Sequence, residues 1–392
     1  MIYLDNNATT QPDPGVVDAM LPYFREQFAN PSSPYRAGRR TARAIFEARE
    51  CVANLISAES SEVIFTSGGT EGNNSALHSA LQVRPDCRRI VVSAVEHASI
   101  LEWVRAKSAQ GYDVVEIPTD AEGRLDTEAL ANAVDANTAI ISVMLANNET
   151  GVIFPVRQVV EIAGKNGIPV HCDAVQGVGK ISVDISALEV QFLTISAHKL
   201  HGPKGIGALW IEPGMRFLPN LLGGGQELGR RGGTENVASI VGFGEAAKLA
   251  AEHMPEMDDS VRQLRDRLTE ALLSRISGCR LHGGQSPRIP NTANLSLPGV
   301  EAETLISLLD MEGICCSTGS ACMAGSPEPS HVLQAMGVEP PILHESVRFG
   351  LSRFTTQEEI DQAIDSIERL VKQLRSMPSE EVDVPRRSTR PL

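Results

Sequence analysis

Short apolar runs alternate with helical patterns through the first two-thirds of this chain of 392 residues. The runs at 62–66, 89–93 and 138–145 predict buried strands. The segment 37–56 shows the spacing of an amphipathic helix, with its apolar residues on one face. This alternation predicts an α/β fold whose mostly parallel sheet is covered by helices on both faces. Functional side chains in such sheets lie beyond the carboxyl ends of the strands.

Two of these strands end in residues that suit pyridoxal phosphate (PLP). The segment SAHKLHGPKG (196–205) places Lys199 just after the apolar run 192–195, and the run 168–173 ends in Asp173. PLP needs a lysine amine for its Schiff base and an anion that keeps its pyridine nitrogen protonated. Alone, Lys199 would be read as a solvated loop lysine and Asp173 as a helix cap. Their combination favours a cofactor site.

Other candidate residues follow further strands. Gly69 and Thr70 lie where the strand 62–66 turns into a helix, and a helix N-terminus favours a phosphate, although a generic turn explains them equally well. His97 has the chemistry to stack on a planar cofactor and act as an acid or base, or it is a structural histidine. Asn148 either hydrogen-bonds the cofactor or the carboxylate of the substrate, or it is an ordinary turn asparagine.

The last third predicts a smaller α+β domain with two further candidates. Small residues flank Cys322 in STGSACMAGSP (317–327), which favours a mobile, open loop and a reactive thiolate. Arg348 lies in an apolar strand and is either a carboxylate clamp or a surface arginine. We expect a large domain over 15–255, a small domain formed by 1–14 and 256–378, and a disordered tail over 379–392.

Composition narrows the functional classes. The formal net charge of −14 argues against nonspecific binding to nucleic acids or anionic membranes. The first residues lack the pattern of a secretory signal, and no apolar stretch is long enough to span a membrane. Seven cysteines without a regular framework predict reduced thiols and a cytoplasmic location.

Taken together, twelve short motifs resemble those of NifS/IscS-type cysteine desulfurases, in the family's order and over nearly the whole chain. STGSAC resembles the group with an extended catalytic-cysteine loop. The motifs are LDNNATT (4–10), NPSS (30–33), FTSGGTEGNN (65–74), EH (96–97), NNETG (147–151), DAVQ (173–176), SAHKLHGPKG (196–205), GGGQE (223–227), RGGTENV (231–237), STGSAC (317–322), EPSHVL (328–333) and VRFGLSRFT (347–355).

The resemblance implies a fold type I PLP-dependent transferase, with a mostly parallel seven-stranded sheet in its large domain and a smaller α+β domain. Lys199 would hold PLP covalently, and Cys322 would attack the sulfur of L-cysteine to give L-alanine and a persulfide. Sulfur-acceptor proteins of iron–sulfur cluster assembly or thiolation would then receive the sulfur. No metal is implied.

The resemblance also assigns roles to the other positions. Asp173 would pair with the pyridine nitrogen, Gln176 with the ring hydroxyl, and His97 would stack on the ring. Asn148 and Arg348 would hold the substrate carboxylate. The phosphate group would be held by the turn and loop residues Gly69, Thr70, Ser196 and His198, joined by Thr234 from the partner subunit of a homodimer.

Two positions depart from the family pattern. Tyr35 stands two residues after NPSS (30–33), at a position where the family often has histidine. Met323 replaces the threonine or serine that commonly follows the catalytic cysteine.

Two alternative functions are a selenocysteine lyase or other PLP-dependent C–S lyase, and a noncatalytic scaffold for sulfur acceptors.

Overall fold

The computed structural model describes residues 1–319 and 329–376, in which twelve strands and thirteen α-helices occur. The strands are β1 (Ile2–Tyr3), β2 (Val63–Thr66), β3 (Arg89–Ser93), β4 (Asp113–Ile117), β5 (Thr138–Met144), β6 (Val170–Asp173), β7 (Phe192–Ser196), β8 (Gly207–Ile211), β9 (Arg280–Leu281), β10 (Thr292–Ser296), β11 (Ile314–Cys315) and β12 (Ser346–Gly350). The helices are α1 (Pro14–Arg25), α2 (Arg36–Asn54), α3 (Gly69–Val83), α4 (Ala98–Ser108), α5 (Thr127–Ala133), α6 (Val156–Gly164), α7 (Ile185–Leu188), α8 (Val237–Glu252), α9 (Met254–Glu256), α10 (Arg262–Arg275), α11 (Ala302–Met311), α12 (His331–Ala335) and α13 (Gln357–Ser376).

Seven strands form the central sheet, in the order β2-β8-β7-β6-β5-β3-β4. Strand β8 runs antiparallel to both β2 and β7, and the other neighbouring pairs are parallel. The predicted mostly parallel seven-stranded sheet is therefore confirmed. The register pairs Met144 with Asp173, and Asp173 with Thr194. The carboxyl ends of β5, β6 and β7 consequently lie side by side.

Helices cover both faces of this sheet because side chains along each buried strand alternate between the faces. Ile141 and Leu193 pack in one apolar cluster with Phe243 of α8. Their neighbours Ile140 and Phe192 belong to a separate cluster on the other face, where α3 and α4 pack. The near-continuous apolar strands of the sequence are thus buried on both sides.

A second core belongs to the antiparallel sheet β9-β10-β12 and to helices α10, α11 and α13. Ile2 and Leu4 from the beginning of the chain join this core. Met254 packs against the core of the large sheet, whereas Met257 is buried in the second core. This change of packing partner supports the proposed domain boundary near residue 255.

The segment around α12 differs in its packing from the rest of the last third. Val332, Leu333 and Met336 are buried in the core of the large sheet, although we assigned 256–378 to the small domain. Helix α12 therefore packs with the core of the large sheet, and the domain bounds stay a prediction. The predicted tail over 379–392 lies outside the described residues.

Across the described ranges, no helix combines the length and apolar character needed to cross a membrane.

Candidate active site

A cavity of about 720 Å³ opens at the carboxyl ends of the parallel strands. Most of the residues predicted from the sequence line it together: Gly69, Thr70, His97, Asn148, Asp173, Gln176, Ser196, His198, Lys199 and Arg348. Residues from distant parts of the chain meet here because each follows the end of a neighbouring strand or, like Arg348, comes from the small domain. The shared placement at strand ends is the geometry expected of a ligand site in such a sheet.

Lys199 ends a short 3₁₀ turn, Ala197–Lys199, that directly follows β7. Its Nζ donates hydrogen bonds to the backbone oxygens of Asn7 (2.5 Å) and Ala8 (2.7 Å). The chain's first residues therefore form one wall of the cavity beside the amine. The motif LDNNATT (4–10) did not indicate that these two carbonyl groups contact Lys199.

Asp173 is 6% exposed at the end of β6, and two hydrogen bonds fix its carboxylate. Oδ2 accepts from Asn73 Nδ2 (2.7 Å), and Oδ1 accepts from the backbone nitrogen of Val175 (3.0 Å). Asn73 lies on α3, one turn after Thr70, so the same helix that begins at the cavity also orients the anion.

His97 caps the N-terminus of α4, and the cap fixes the ring. Its Nδ1 accepts from the backbone nitrogen of Ser99 (3.1 Å) and lies 2.8 Å from Ser99 Oγ. An Nδ1 that accepts a hydrogen bond leaves the proton of the neutral ring on Nε2. Ser99 Oγ also accepts from Asn73 Nδ2 (2.9 Å), which links the ring to the Asp173 carboxylate.

The end of the cavity near α3 suits a phosphate. Gly69 and Thr70 form the first turn of this 15-residue helix, where free backbone N–H groups favour an anion. A Cβ atom on Gly69 would lie 3.0 Å from Val175 Cγ2, so glycine keeps this wall open. Burial and the nearby Lys199 lower the pKa of His198 to about 4, so that its imidazole is neutral near pH 7.

Arg348 is 1% exposed and connects both domains at the cavity. Its Nη2 donates to Asp5 Oδ1 (2.8 Å), and its Nη1 donates to the backbone oxygens of Asn148 (3.2 Å) and Gly319 (3.4 Å). Two buried polar atoms at this end make no hydrogen bond within the described chain: Arg348 Nε and Asn148 Oδ1. A bound polar ligand would satisfy them.

Cys322 lies outside the described residues, but the described residues on either side of it contact Arg348 of the cavity or direct neighbours of its lining residues His97 and Asn148. At one end Ser317 pairs with Arg348 through two backbone hydrogen bonds of 2.7 and 3.3 Å. At the other end Ser330 Oγ donates to Glu149 Oε2 (2.5 Å), and His331 Nε2 lies 3.0 Å from the backbone oxygen of Glu96. The described residues on both sides of Cys322 therefore lie near residues that line the cavity.

Thr234 does not line this cavity. It is exposed in the glycine-rich segment 223–236. Its predicted contact, as Thr234 of the partner subunit, stays a prediction.

These complementary groups fit PLP. A reactive amine, a fixed carboxylate and a phosphate-binding helix end lie in one cavity, and Gly69 leaves that cavity open. Each group matches one part of the cofactor: the aldehyde, the pyridine nitrogen and the phosphate.

Comparisons with known proteins agree with this geometry. The family model described as aminotransferase class-V matches residues 2–363. The chain is 45% identical to a cysteine desulfurase of Nostoc sp. (strain PCC 7120) over 377 residues, which is 96% of this chain and 94% of the relative. It is also 45% identical, over the same shares, to cysteine desulfurase NifS of Azotobacter vinelandii.

The chain belongs to the class-V aminotransferases, in their NifS group.

The fold of this NifS-group chain agrees with solved structures. A protein described as NifS-like superposes with a TM-score of 0.88 and 36% identity over 95% of this chain and 99% of that protein. A NifS-like protein from Rickettsia africae gives a TM-score of 0.85 and 32% identity over 95% and 99% of the two chains. The predicted fold type I architecture and PLP dependence are confirmed.

Proposed function

We propose that this chain is a cysteine desulfurase, which converts L-cysteine to L-alanine and leaves the sulfur as a persulfide on Cys322. One observation carries the proposal. Lys199, Asp173 and Arg348 line a single cavity. Before Cys322, Ser317 contacts Arg348, and after it, Ser330 contacts Glu149, the neighbour of the lining residue Asn148. The relatives named cysteine desulfurase support the same activity.

PLP, when bound, supplies the electron sink for the carbon atoms of the substrate. Lys199 would hold it covalently and Asp173, fixed by Asn73, would face its pyridine nitrogen. Gln176 would donate to the ring hydroxyl, and His97 would lie against the ring with a proton on Nε2. The phosphate would lie at the N-terminus of α3, with Gly69, Thr70, Ser196 and His198 around it.

The substrate carboxylate would lie between Asn148 and Arg348. The buried Nε of Arg348 has no acceptor among the described residues, and a carboxylate supplies one. A buried guanidinium N–H left without an acceptor is costly, so this contact would contribute to substrate affinity. Asp5, which accepts from Nη2 of the same arginine, holds the guanidinium in place.

The sulfur step needs a thiolate at Cys322. The thiolate attacks the substrate sulfur, an S–S bond forms, and the C–S bond of the substrate breaks. The electron pair of the broken bond stays with the carbon, which takes up a proton and leaves as alanine. The persulfide sulfur then passes to an acceptor protein of iron–sulfur cluster assembly or thiolation.

We further propose that the enzyme is a cytoplasmic homodimer. Large apolar side chains lie exposed beside the glycine-rich segment, with Leu222 84% and Leu228 69% exposed. Such exposed apolar side chains are typical of an interface. This face would carry Thr234 to the site of the partner subunit. The reactive thiol chemistry suits a reducing compartment.

Replacing Cys322 by serine tests the activity. The Cys322→Ser variant should keep its visible cofactor absorbance and its spectral response to L-cysteine, but form no alanine and no persulfide. Cys87→Ser, which changes a cysteine outside the cavity, should retain wild-type turnover. Alanine formation from L-cysteine by Cys322→Ser at the wild-type rate would contradict persulfide chemistry. Turnover of selenocysteine alone by this variant would favour a selenocysteine lyase.

A further inference from the structure

Asn7 is a buried residue of the motif LDNNATT (4–10) to which the proposed chemistry gives no role. It is 1% exposed and lines the cavity that carries Lys199. Within the described ranges, its backbone oxygen and its side-chain amide make five hydrogen bonds, all to residues that are distant in sequence. So many contacts from one residue indicate a role in holding the cavity together.

The backbone oxygen of Asn7 contacts two residues on the cofactor side of the cavity. It accepts from Lys199 Nζ (2.5 Å) and from Gln176 Nε2 (3.0 Å). A carbonyl oxygen has two lone pairs, and these two donors use both of them. A shift of this one oxygen would therefore affect both side chains.

The amide nitrogen of Asn7 contacts the part of the cavity where we place the substrate carboxylate. Nδ2 donates to the backbone oxygen of Asn148 (3.0 Å), which also accepts from Arg348 Nη1 (3.2 Å). Asn7 and Arg348 thus share one acceptor. The contact fixes the main chain of Asn148, whose buried Oδ1 makes no hydrogen bond within the described chain.

Two buried residues at the start of β10 hold the Asn7 amide in one orientation. Oδ1 accepts from Asn291 Nδ2 (3.0 Å), and Nδ2 gives its second hydrogen to Thr292 Oγ1 (2.8 Å). Asn291 Nδ2 also donates to the backbone oxygen of Leu351, which identifies it as the nitrogen. Turning the Asn7 amide over would bring its Oδ1 against the carbonyl of Asn148 and its nitrogen against another nitrogen.

Strand β12, which carries Arg348, packs directly on Asn7. A Cβ atom on Gly350 would lie 2.6 Å from Asn7 Oδ1 and 2.9 Å from its backbone nitrogen. Glycine is therefore required at this position of the strand. The second core thus reaches Asn7 through both β10 and β12.

We propose that Asn7 is a positioning residue that joins the two sides of the active site. Its backbone oxygen places Lys199 and Gln176 for the cofactor. Its amide, held by β10, places Asn148 and thereby the acceptor of Arg348 for the carboxylate of L-cysteine. The inference rests on the proposed function, since PLP and L-cysteine are taken as the ligands of these residues.

The first test replaces Asn7 by alanine. KM for L-cysteine in alanine formation should rise about tenfold, because the main chain at Asn148 loses a buried hydrogen bond. Cofactor-free Asn7→Ala, titrated with PLP and followed by absorbance, should bind PLP about threefold more weakly, because the backbone oxygen is no longer anchored through the side chain.

Asn6 offers a matched control in the same segment. It is 3% exposed, and its Nδ2 donates to the backbone oxygens of Tyr3 (3.1 Å) and Gly350 (2.9 Å), neither of which lines the cavity. Asn6→Ala also removes a buried amide, but it should keep the wild-type KM and PLP affinity. An equal rise of KM in both variants would show that the segment needs only its packing, and would overturn the proposal.

The second test separates hydrogen bonding from packing at Thr292, which lies outside the cavity. Thr292→Val keeps the volume and removes the hydroxyl that accepts from Asn7, whereas Thr292→Ser keeps the hydroxyl and removes a methyl group. Thr292→Val should raise KM about threefold, and Thr292→Ser should retain the wild-type value. A packing role predicts the reverse order, because only the serine leaves a cavity.

Wild-type KM together with wild-type PLP affinity in Asn7→Ala would overturn the proposal, and so would the reverse order at Thr292. Should Asn7→Ala fail to fold, the two Thr292 variants decide. The proposed function is judged on the wild-type protein. If that protein binds PLP but forms no alanine from L-cysteine, the proposed function fails, while the PLP titration still tests Asn7.

Discussion

At the scale of single residues, Glu149 connects the two ends of the segment that carries Cys322. Its carboxylate is buried, which raises its pKa, and it accepts the hydrogen bond of Ser330. The other end approaches just as closely: a Cβ atom on Gly319 would lie 1.9 Å from Glu149 Oε2. The glycine of STGSAC is thus required by the space that Glu149 occupies.

We therefore expect Gly319→Ala to reduce desulfuration strongly while cofactor binding persists. The added methyl group overlaps the buried carboxylate, so the chain must shift at the attachment of the Cys322 segment. Turnover should fall at least about tenfold, which corresponds to ~1.4 kcal/mol in the activation barrier. Alanine release and the visible absorbance of the cofactor measure the two effects separately.

Gly164 provides the matched control, because no atom lies within 4 Å of a Cβ atom placed there. Gly164→Ala in α6 should leave turnover unchanged. Equal activity of Gly319→Ala and the wild type would show that the contact with Glu149 does not position the segment.

Site residues can be predicted from the sequence where a charged side chain directly follows an apolar strand. Residues that act only through a contact with another site residue cannot. Lys199 and Asp173 follow apolar runs, so their roles could be inferred from position. Asn73 and Ser99 lie on different helices and meet only because α3 and α4 pack side by side. The sequence gives no distance between such elements, and hence no sign of this link.

At the scale of elements, a buried ion pair holds the glycine-rich segment against β2. Arg49 of α2 donates to both carboxylate oxygens of Glu227 (2.5 and 2.9 Å), and the backbone nitrogen of Phe65 donates to Glu227 Oε2 (2.9 Å). Glu227 and Leu228 adopt left-handed backbone angles, with φ of 47° and 59°. Residues other than glycine rarely adopt these backbone angles, so the ion pair must offset the strain of the backbone.

Glu227→Gln should therefore destabilise the protein by about 3 kcal/mol, because it leaves the Arg49 guanidinium buried without its counter-charge. The two side chains are only 3% and 14% exposed. Chemical denaturation followed by circular dichroism measures the loss. Glu47→Gln, which breaks the exposed pair with Arg43 on the same helix, should cause no measurable change. Similar stabilities of the two variants would show that the buried pair does not hold the segment.

The elements themselves were largely predictable because buried strands and amphipathic helices have distinct periods. The predicted strand at 138–145 corresponds to β5 (Thr138–Met144), and the helix predicted at 37–56 corresponds to α2 (Arg36–Asn54). Helix α1 begins at Pro14 because Asp13 caps it and accepts from the backbone nitrogen of Gly15. The short helix α5, capped by Asp126, was not predicted.

At the scale of the whole molecule, the proposed dimer makes each active site depend on two chains. Lys199 lies in the cavity of its own chain, whereas Thr234 is exposed outside that cavity. If Thr234 of the partner subunit contacts the phosphate, an aspartate at that position repels the cofactor from the neighbouring site and leaves the chain's own amine intact.

Two inactive variants should then restore activity when mixed. Lys199→Ala lacks the amine, and Thr234→Asp blocks the site of its partner. In a mixed dimer, the site with an intact Lys199 faces an intact Thr234 of the partner subunit. Co-refolding equal amounts should recover about a quarter of the wild-type alanine formation. Half of the dimers are mixed, and one of the two sites in each mixed dimer is intact. Refolding each variant alone is the control. Sites completed within one chain would leave the mixture as inactive as its components, and sedimentation would then show whether a dimer forms at all.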